Sequence, residues 1–213
     1  MHQPTHAALN QAKFDAWAST YERKRYDFFR RMQERVLRQL DLKEGMRLLD
    51  VGCGTGWAVR RASSMIGSGG RAYGVDLSSK MIENARDAAK GTRNVEFLQA
   101  SSEELPFSDA SFDRVMCTMS FHHYLYPKKA VREMARVLTP AGRVCIVDPT
   151  ADNFFMRWAD AFITRRNPDH VKMYSSKEFK GLFEEAELRY LGSGRIMVLW
   201  FTAKAHFAEC AEV

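Results

Sequence analysis

The sequence has no uninterrupted apolar run near the ~18–20 residues that a membrane-spanning helix needs. Its mean hydropathy of −0.38 suits a chain that folds in water. The first residues, with His2, Gln3, Thr5 and His6, are polar where a secretory leader would carry an apolar core. Cysteine is scarce, and Cys53, Cys117, Cys145 and Cys210 form neither a CxxC pair nor a zinc-ligand spacing. That argues against a disulfide framework or a zinc module and leaves thiols suited to a reducing, cytoplasmic setting. Repeats, low-complexity tracts and Pro/Gly-rich linkers are absent as well, so a single domain is expected over residues 1–213. Within it, a helical lid and basic helix occupy 1–44, a binding core 45–148, and substrate-side helices with a terminal hairpin 149–213.

Acidic residues are the minority, giving a formal net charge of +6. Much of the excess lies between Glu22 and Arg38, where Arg23, Lys24, Arg25, Arg30, Arg31, Arg35 and Arg38 face Glu22, Asp27 and Glu34. Phe29, Met32, Val36 and Leu40 recur there at helical spacing. The arginines therefore read either as the solvated face of an amphipathic helix or as an attractor of anions.

Residues 7–40 carry a helical, aromatic pattern. From Arg47 onward short aliphatic runs at 47–51, 71–76, 95–100, 114–119 and 143–147 alternate with helical stretches. That alternation predicts βαβ units and a mainly parallel sheet, an α/β fold of Rossmann type. Ser78 is expected to cap a helix reaching Ala89, and Val131, Met134, Ala135 and Leu138 mark the buried stripe of another that Pro140 stops. An aromatic helix around Phe154, Phe155, Trp158 and Phe162 follows, then one opened by Ser175. The end reads as two strands, 189–192 and 196–202, joined at Gly192-Ser193-Gly194 as a hairpin.

The most informative segment is Leu48-Leu49-Asp50-Val51-Gly52-Cys53-Gly54-Thr55-Gly56, an apolar strand ending in an acid, followed by three alternating glycines and a helix. Glycines let the backbone turn sharply and let a ligand approach where a Cβ would intrude, and the helix start offers unpaired N–H groups. A second strand ends in Asp76, about 20 residues further on, where an acid can accept from both ribose hydroxyls. The Gly-x-Gly-x-Gly spacing differs from the Gly-x-Gly-x-x-Gly of nicotinamide dinucleotide sites, and a cofactor without phosphates fits it better.

With these motifs in order, and with Gly74-Val75-Asp76-Leu77-Ser78, Glu104-Leu105-Pro106-Phe107, Ser111-Phe112-Asp113, Phe121-His122-His123 and Arg136-Val137-Leu138-Thr139-Pro140-Ala141-Gly142 behind them, the chain resembles the class I S-adenosylmethionine-dependent methyltransferases. Within that class it is similar to the branch holding the ubiquinone/menaquinone-biosynthesis enzymes and many small-molecule enzymes. The resemblance implies a seven-stranded, mostly parallel sheet with a C-terminal antiparallel hairpin strand and an N-terminal helical lid. It implies S-adenosyl-L-methionine as cofactor, with Asp50, Gly52, Cys53, Gly54 and Gly56 around its methionine part and Asp76 on the ribose. Leu77 and Met81 would flank the adenine, Ser101 and Ser102 would meet its edge, and the Cys117 carbonyl would take the methionine ammonium. The family usually has aspartate where Ser101 stands, so a neutral acceptor replaces a charged one here. The segment 14–21 corresponds to the family's lid, with Tyr21 as its direct contact.

Methyl transfer needs alignment of nucleophile and methyl group, and a base when the nucleophile is protonated. His122 and His123, just past the fourth strand, are the candidate bases, and Asp148 at the end of the fifth is another acid or base. Residues 153–174, aromatic and basic, are expected to line the acceptor pocket. The acceptor is expected to be a small molecule, aromatic, lipidic or anionic, with peripheral contact to an anionic or lipid substrate open, and the protein a monomer or homodimer. No nucleic acid is expected, because Cys117-Thr118-Met119-Ser120 stands where exocyclic-amine methyltransferases carry Asp/Asn-Pro-Pro-aromatic. No metal is expected either, since adjacent histidines on an extended strand point apart. A cofactor-binding regulatory or scaffold module without transfer activity, or an RNA or protein methyltransferase, stands as the alternative.

Overall fold

The computed structural model describes residues 6–18, 26–167, 170–198 and 201–211. In chain order the elements are α1 (His6–Ala18), α2 (Tyr26–Gln39), β1 (Arg47–Val51), α3 (Trp57–Ile66), β2 (Arg71–Asp76), α4 (Ser79–Ala88), β3 (Val95–Gln99) and β4 (Phe112–Thr118). A 3-10 turn (Phe121–His123), α5 (Pro127–Arg136), β5 (Leu138–Pro149), α6 (Phe154–Arg166), α7 (Ser176–Glu185), β6 (Leu188–Val198) and β7 (Phe201–Cys210) complete them. The strands form one seven-stranded sheet in the order β3-β2-β1-β4-β5-β7-β6. β1 to β5 pair in parallel, and β7 inserts antiparallel between β5 and β6, as the α/β expectation required.

Central strands buried on both faces need apolar residues at successive positions, and β1 supplies them. Leu48 packs with Val36, Leu37, Ala62 and Ile66 on one face, while Leu49 and Val51 pack with Val115, Val131, Met134 and Phe179 on the other. Each such fully buried side chain contributes about 1.5–3 kcal/mol of transfer free energy, so Leu49→Ala should cost ~2–5 kcal/mol. Because β2 and β3 lie to one side of β1 and β4 lies to the other, the chain reverses direction between β1 and β4. A crevice opens at their carboxyl ends, where open α/β sheets take ligands.

Local signals fix several boundaries. The Ser78 hydroxyl accepts from the Met81 N–H at 3.1 Å at the head of α4. Ser175 and Glu178 form a reciprocal capping box on α7, and Phe179, Leu182 and Phe183 of that helix are buried.

The helical stretch expected over residues 7–40 is represented by α1 and α2, with residues 19–25 outside the described set. Two expectations are corrected. The helix before Pro140 ends at Arg136, and Leu138 already belongs to β5. There the Val137 carbonyl is taken by Ser111 N and Phe112 N, at 2.8 and 2.9 Å, which draws the chain into the sheet. Gly192-Ser193-Gly194 makes no turn. It lies within β6, paired with Phe207, His206 and Ala205, and the glycine marks a bulge where the register shifts beside Tyr190.

Candidate active site

At the end of β1 the chain turns through Gly52, Gly54 and Gly56 with φ of 77°, 52° and 71°, a left-handed conformation costly for any other residue type. Two of these positions also need the missing Cβ. A side chain at Gly52 would run into the Ser120 hydroxyl and the Tyr124 phenol, and one at Gly56 into the Phe97 ring. The turn is tied to the neighbouring strand by the Gly52 and Cys53 amides, which donate to the Val75 carbonyl at 2.8 and 3.0 Å.

Asp76 completes the join. Its two carboxylate oxygens accept from the Gly54 and Ser78 amides, each at 2.9 Å. Burial raises its pKa, and those backbone donors oppose the rise. Asp50 is treated differently. It is fully buried, neither carboxylate oxygen has a hydrogen-bond partner among the described residues, and burial, with the charge of Asp76 second, pushes its pKa up to about 8. A buried carboxyl without donors is poised for a cationic group.

Gly52, Gly54 and Asp76 border a cleft of about 180 Å³, open to solvent on one side. One end is walled by Asp76, Leu77, Met81, Ser101 and Ser102. The floor is Val51, Gly52, Gly54, Thr118 and Ser120, and the far wall is Phe14, His123, Tyr124, Leu125 and Tyr126. On the other side of the glycine turn lies a smaller pocket lined by Phe29, Arg30, Gln33, Cys53, Thr55 and Trp57; it shares Gly52, Gly54, Thr118 and Met119 with the cleft. Gln33 of α2 donates to the Thr118 hydroxyl at 3.1 Å there.

Of the residues singled out from the sequence, Gly52, Gly54, Asp76, Leu77, Met81, Ser101, Ser102 and His123 line the cleft, and Cys53 lines the smaller pocket. Asp50, Gly56 and Cys117 stand behind those walls. The Cys117 thiol is in a buried cluster with the Ser120 hydroxyl at 3.1 Å and the Tyr124 phenol at 3.5 Å, and burial drives its pKa to about 12. Tyr21 lies outside the described residues. Ser101 uses its hydroxyl oxygen to accept from the Glu103 amide at 3.2 Å.

The sequence reading missed Asn10, Met119, Ser120 and Tyr124. Met119 has φ of 55°, rare for a bulky side chain, as the chain leaves β4. Nothing in its residue type announces that conformation. Ser120 and Tyr124 could have been found from Gly52, since a glycine that needs space implies a neighbour filling it.

α1 spans the cleft. Asn10 donates to the His123 carbonyl at 3.1 Å, Phe14 stands edge-on to the His123 ring with centroids 5.1 Å apart, and Asp15 accepts from the Ser78 hydroxyl. Asn84 of α4 holds the end of α1 through the Ala18 carbonyl at 3.0 Å.

Past β4, the two adjacent histidines sit on the 3-10 turn with ring centroids 4.0 Å apart. His123 turns to the cleft, while His122 Nδ1 lies 2.9 Å from a carboxylate oxygen of fully buried Asp148. His170 packs against the His122 ring at 5.4 Å and binds Asp160 through Nε2 at 2.7 Å. The aromatic residues of α6 depart from expectation. None lines the cleft, and Phe154, Phe155, Trp158 and Phe162 are exposed. The inner face of α6 is instead given to Asp160 and its bonds to His170 and to the Met173 amide. Among the described residues no group of three or more His, Cys, Asp or Glu side chains is arranged to hold a metal ion, and no helix is long and apolar enough to cross a membrane.

A model of the methyltransferase domain family matches residues 49–146. An uncharacterized methyltransferase, YcgJ of Bacillus subtilis (strain 168), is 35% identical over 159 residues, covering 73% of this chain and 62% of its own length. A demethylmenaquinone methyltransferase of Staphylococcus aureus (strain MRSA252) is 34% identical over 131 residues, covering 60% and 54%. The chain thus spans at most 62% of these curated relatives. Among solved structures, a SAM-dependent methyltransferase of Aquifex aeolicus superposes with a TM-score of 0.71 at 26% identity, covering 91% of this chain and 97% of that one.

Proposed function

The chain belongs to the class I S-adenosylmethionine-dependent methyltransferases through residues 49–146, and on that premise we propose that it transfers the methyl group of S-adenosylmethionine to a small-molecule acceptor. The observation that carries this reading is the pairing of two unlike acids beside one glycine turn. Asp76 is anchored by amides at the cleft wall, and Asp50 is buried without a donor. The residues fit the cofactor: Asp76 would hold the ribose, Leu77 and Met81 the adenine faces, Ser101 and Ser102 its edge. Gly52 and Gly54 would leave room for the methionine part, and Asp50 would answer its positive charge. Cys53, Gly56 and the Cys117 carbonyl would complete that shell, with Tyr21 on the lid. Bound there, the cofactor supplies a methyl group made electrophilic by a sulfonium sulfur.

The chain's own contribution is alignment, exclusion of water and removal of a proton. α1, pinned at His123 and Ser78, covers the cleft and limits water. His123, which lines the cleft, is the proposed base. His122 packs against its ring, and His122 Nδ1 meets Asp148 at 2.9 Å, so that pair acts as positioning residues that hold the histidine cluster. A small acceptor is favoured by a cleft closed over by α1, Leu125 and Tyr126, and by a relative named for demethylmenaquinone. The free thiols suit the cytoplasmic location expected from the sequence.

Two measurements test the proposal. Calorimetry should detect S-adenosylmethionine binding that disappears in Asp76→Ala. Incubation of a metabolite extract with cofactor carrying a labelled methyl group should then yield a labelled small molecule. Binding without any labelled product would favour the regulatory-module reading, and absence of binding would overturn both.

A further inference from the structure

The large hydrophobic side chains left in water are grouped. Among the described residues, Leu9 and Trp17 on α1, Leu125 and Tyr126 after the 3-10 turn, and Phe154, Phe155, Trp158 and Phe162 on α6 are exposed. Apart from Leu191, they make up every exposed large hydrophobic residue in that set; residues 125–126 and α6 follow the carboxyl ends of β4 and β5, and α1 crosses the cleft that opens there. α1 and residues 125–126 border the cleft itself, and α6 is fastened beside it through Asp160 and His170.

α6 is the most developed of the three. At about 100° per residue, positions 154, 158, 162 and 155 fall on one face roughly 100° wide. Phe154 is 85% exposed and Trp158 60%, whereas Met156, Asp160 and Ile163 on the opposite side are half-buried. Its cations are Arg157, Arg165 and Arg166, and its single acid, Asp160, is turned inward and bonded to His170. In each segment a cation sits over an aromatic ring: Lys13 over Trp17 at 4.4 Å, Lys129 over Tyr126 at 5.1 Å, and Arg166 over Phe162 at 4.1 Å.

Exposed rings paired with cations on three separate segments suit the headgroup level of a bilayer, where aromatic rings enter the acyl boundary and cations meet phosphate. We propose that this edge of the molecule docks on an anionic phospholipid bilayer, with α6 lying in the interface and the cleft mouth turned to the lipid. A second copy of the chain fits this face less well, because it would bring the same arginines without an exposed acid on α6 to pair them. Docking is independent of the transfer reaction. Combined with the proposed function, it adds that the acceptor is a membrane-dissolved molecule.

Sedimentation of the full chain with phosphatidylcholine vesicles, and with vesicles of equal parts phosphatidylcholine and phosphatidylglycerol, tests the docking. Binding should be on the order of tenfold tighter to the anionic vesicles and should weaken with salt. F154S/W158S/F162S should lose binding to both by about tenfold or more, as the hydrophobic insertion is removed. R165E/R166E should lose only the anionic preference. Circular dichroism and thermal midpoints matching the parent would establish that both variants fold. The proposal is overturned if the parent sediments with neither vesicle, or if the serine variant binds as the parent does. It is also overturned if sedimentation velocity finds a dimer that the serine variant dissociates while vesicles stay unbound.

Discussion

Around Gly52 and Asp76 the cleft is made of backbone: left-handed glycines, amides donating to one carboxylate, and a carbonyl of β2 accepting two N–H groups. At the other end it is made of side chains brought from far apart in sequence. His123 of the 3-10 turn after β4 and Asn10 and Phe14 of α1 line it, and His122, Asp148 at the end of β5 and His170 after α6 pack behind them. A backbone cradle binds whatever cofactor fits its shape and tolerates few changes. A side-chain cluster can be remodelled one residue at a time. The first end suits a fixed cofactor, and the second suits an acceptor that differs between relatives.

The contrast can be broken hardest at Gly52. Gly52→Val meets the Ser120 hydroxyl and the Tyr124 phenol and strains a φ of 77°, so cofactor binding measured by calorimetry should become undetectable. The fold should lose about 1–3 kcal/mol in denaturant titration. Retained binding would mean that the cradle is softer than described.

At the other end His123→Ala should lower kcat by about 10²–10⁴ while cofactor affinity stays within a few-fold of the parent. Asp148→Asn should reduce kcat by less, because the base itself survives. Should His122→Ala instead produce the larger loss in kcat, with His123→Ala raising only KM, the roles of the two histidines are reversed.

Asp50 and His206 give opposite pH signatures. Asp50 keeps its proton up to about pH 8 when folded, whereas an unfolded aspartate loses it near pH 4. Its contribution to stability is therefore whole below about pH 4 and is lost as pH rises through about 8. Asp50→Asn should flatten this fall in a series of urea titrations. Cofactor binding near neutrality should release a proton from Asp50, read as a dependence of the binding enthalpy on buffer ionisation, and the Asn variant should lack it.

His206 is fully buried, stacked on Phe179 at 4.1 Å and bonded to Tyr190 at 3.1 Å, and burial lowers its pKa to about 4. Its contribution is present above about pH 6.5 and lost as pH falls through about 4, by at most ~3 kcal/mol. His206→Phe should remove that acid sensitivity without touching cofactor affinity. The smallest effect is expected at Ser101→Asp, which restores the charged acceptor typical of the resembling family. Cofactor affinity should rise several-fold, less so if the Glu103 amide keeps the new carboxylate.

How much of this was readable in advance follows the same division. The glycine turn and Asp76 are contiguous with the strands that carry them, so composition and spacing identify them. The pairing of His122 with Asp148 crosses from one strand end to the next, and only the β4–β5 register brings the two together. α6 was legible as an aromatic helix, but not the side it turns to water, because Asp160 and His170, rather than its rings, decide which face is inward. Gly192-Ser193-Gly194 resembled a turn because glycine permits one, and pairing with β7 overrode that local preference.

By itself, the sequence determined the alternation of strands and helices from β1 to β5, the parallel core and the glycine turn beside Asp76, since each rests on hydrophobic period and on residue types whose backbone preferences act over a few positions. The tertiary structure alone decided the histidine cluster with Asp148, the donorless burial of Asp50 and the outward aromatic face. Each is a contact, or a missing one, between segments distant in sequence, and local preference carries no information about how those segments meet.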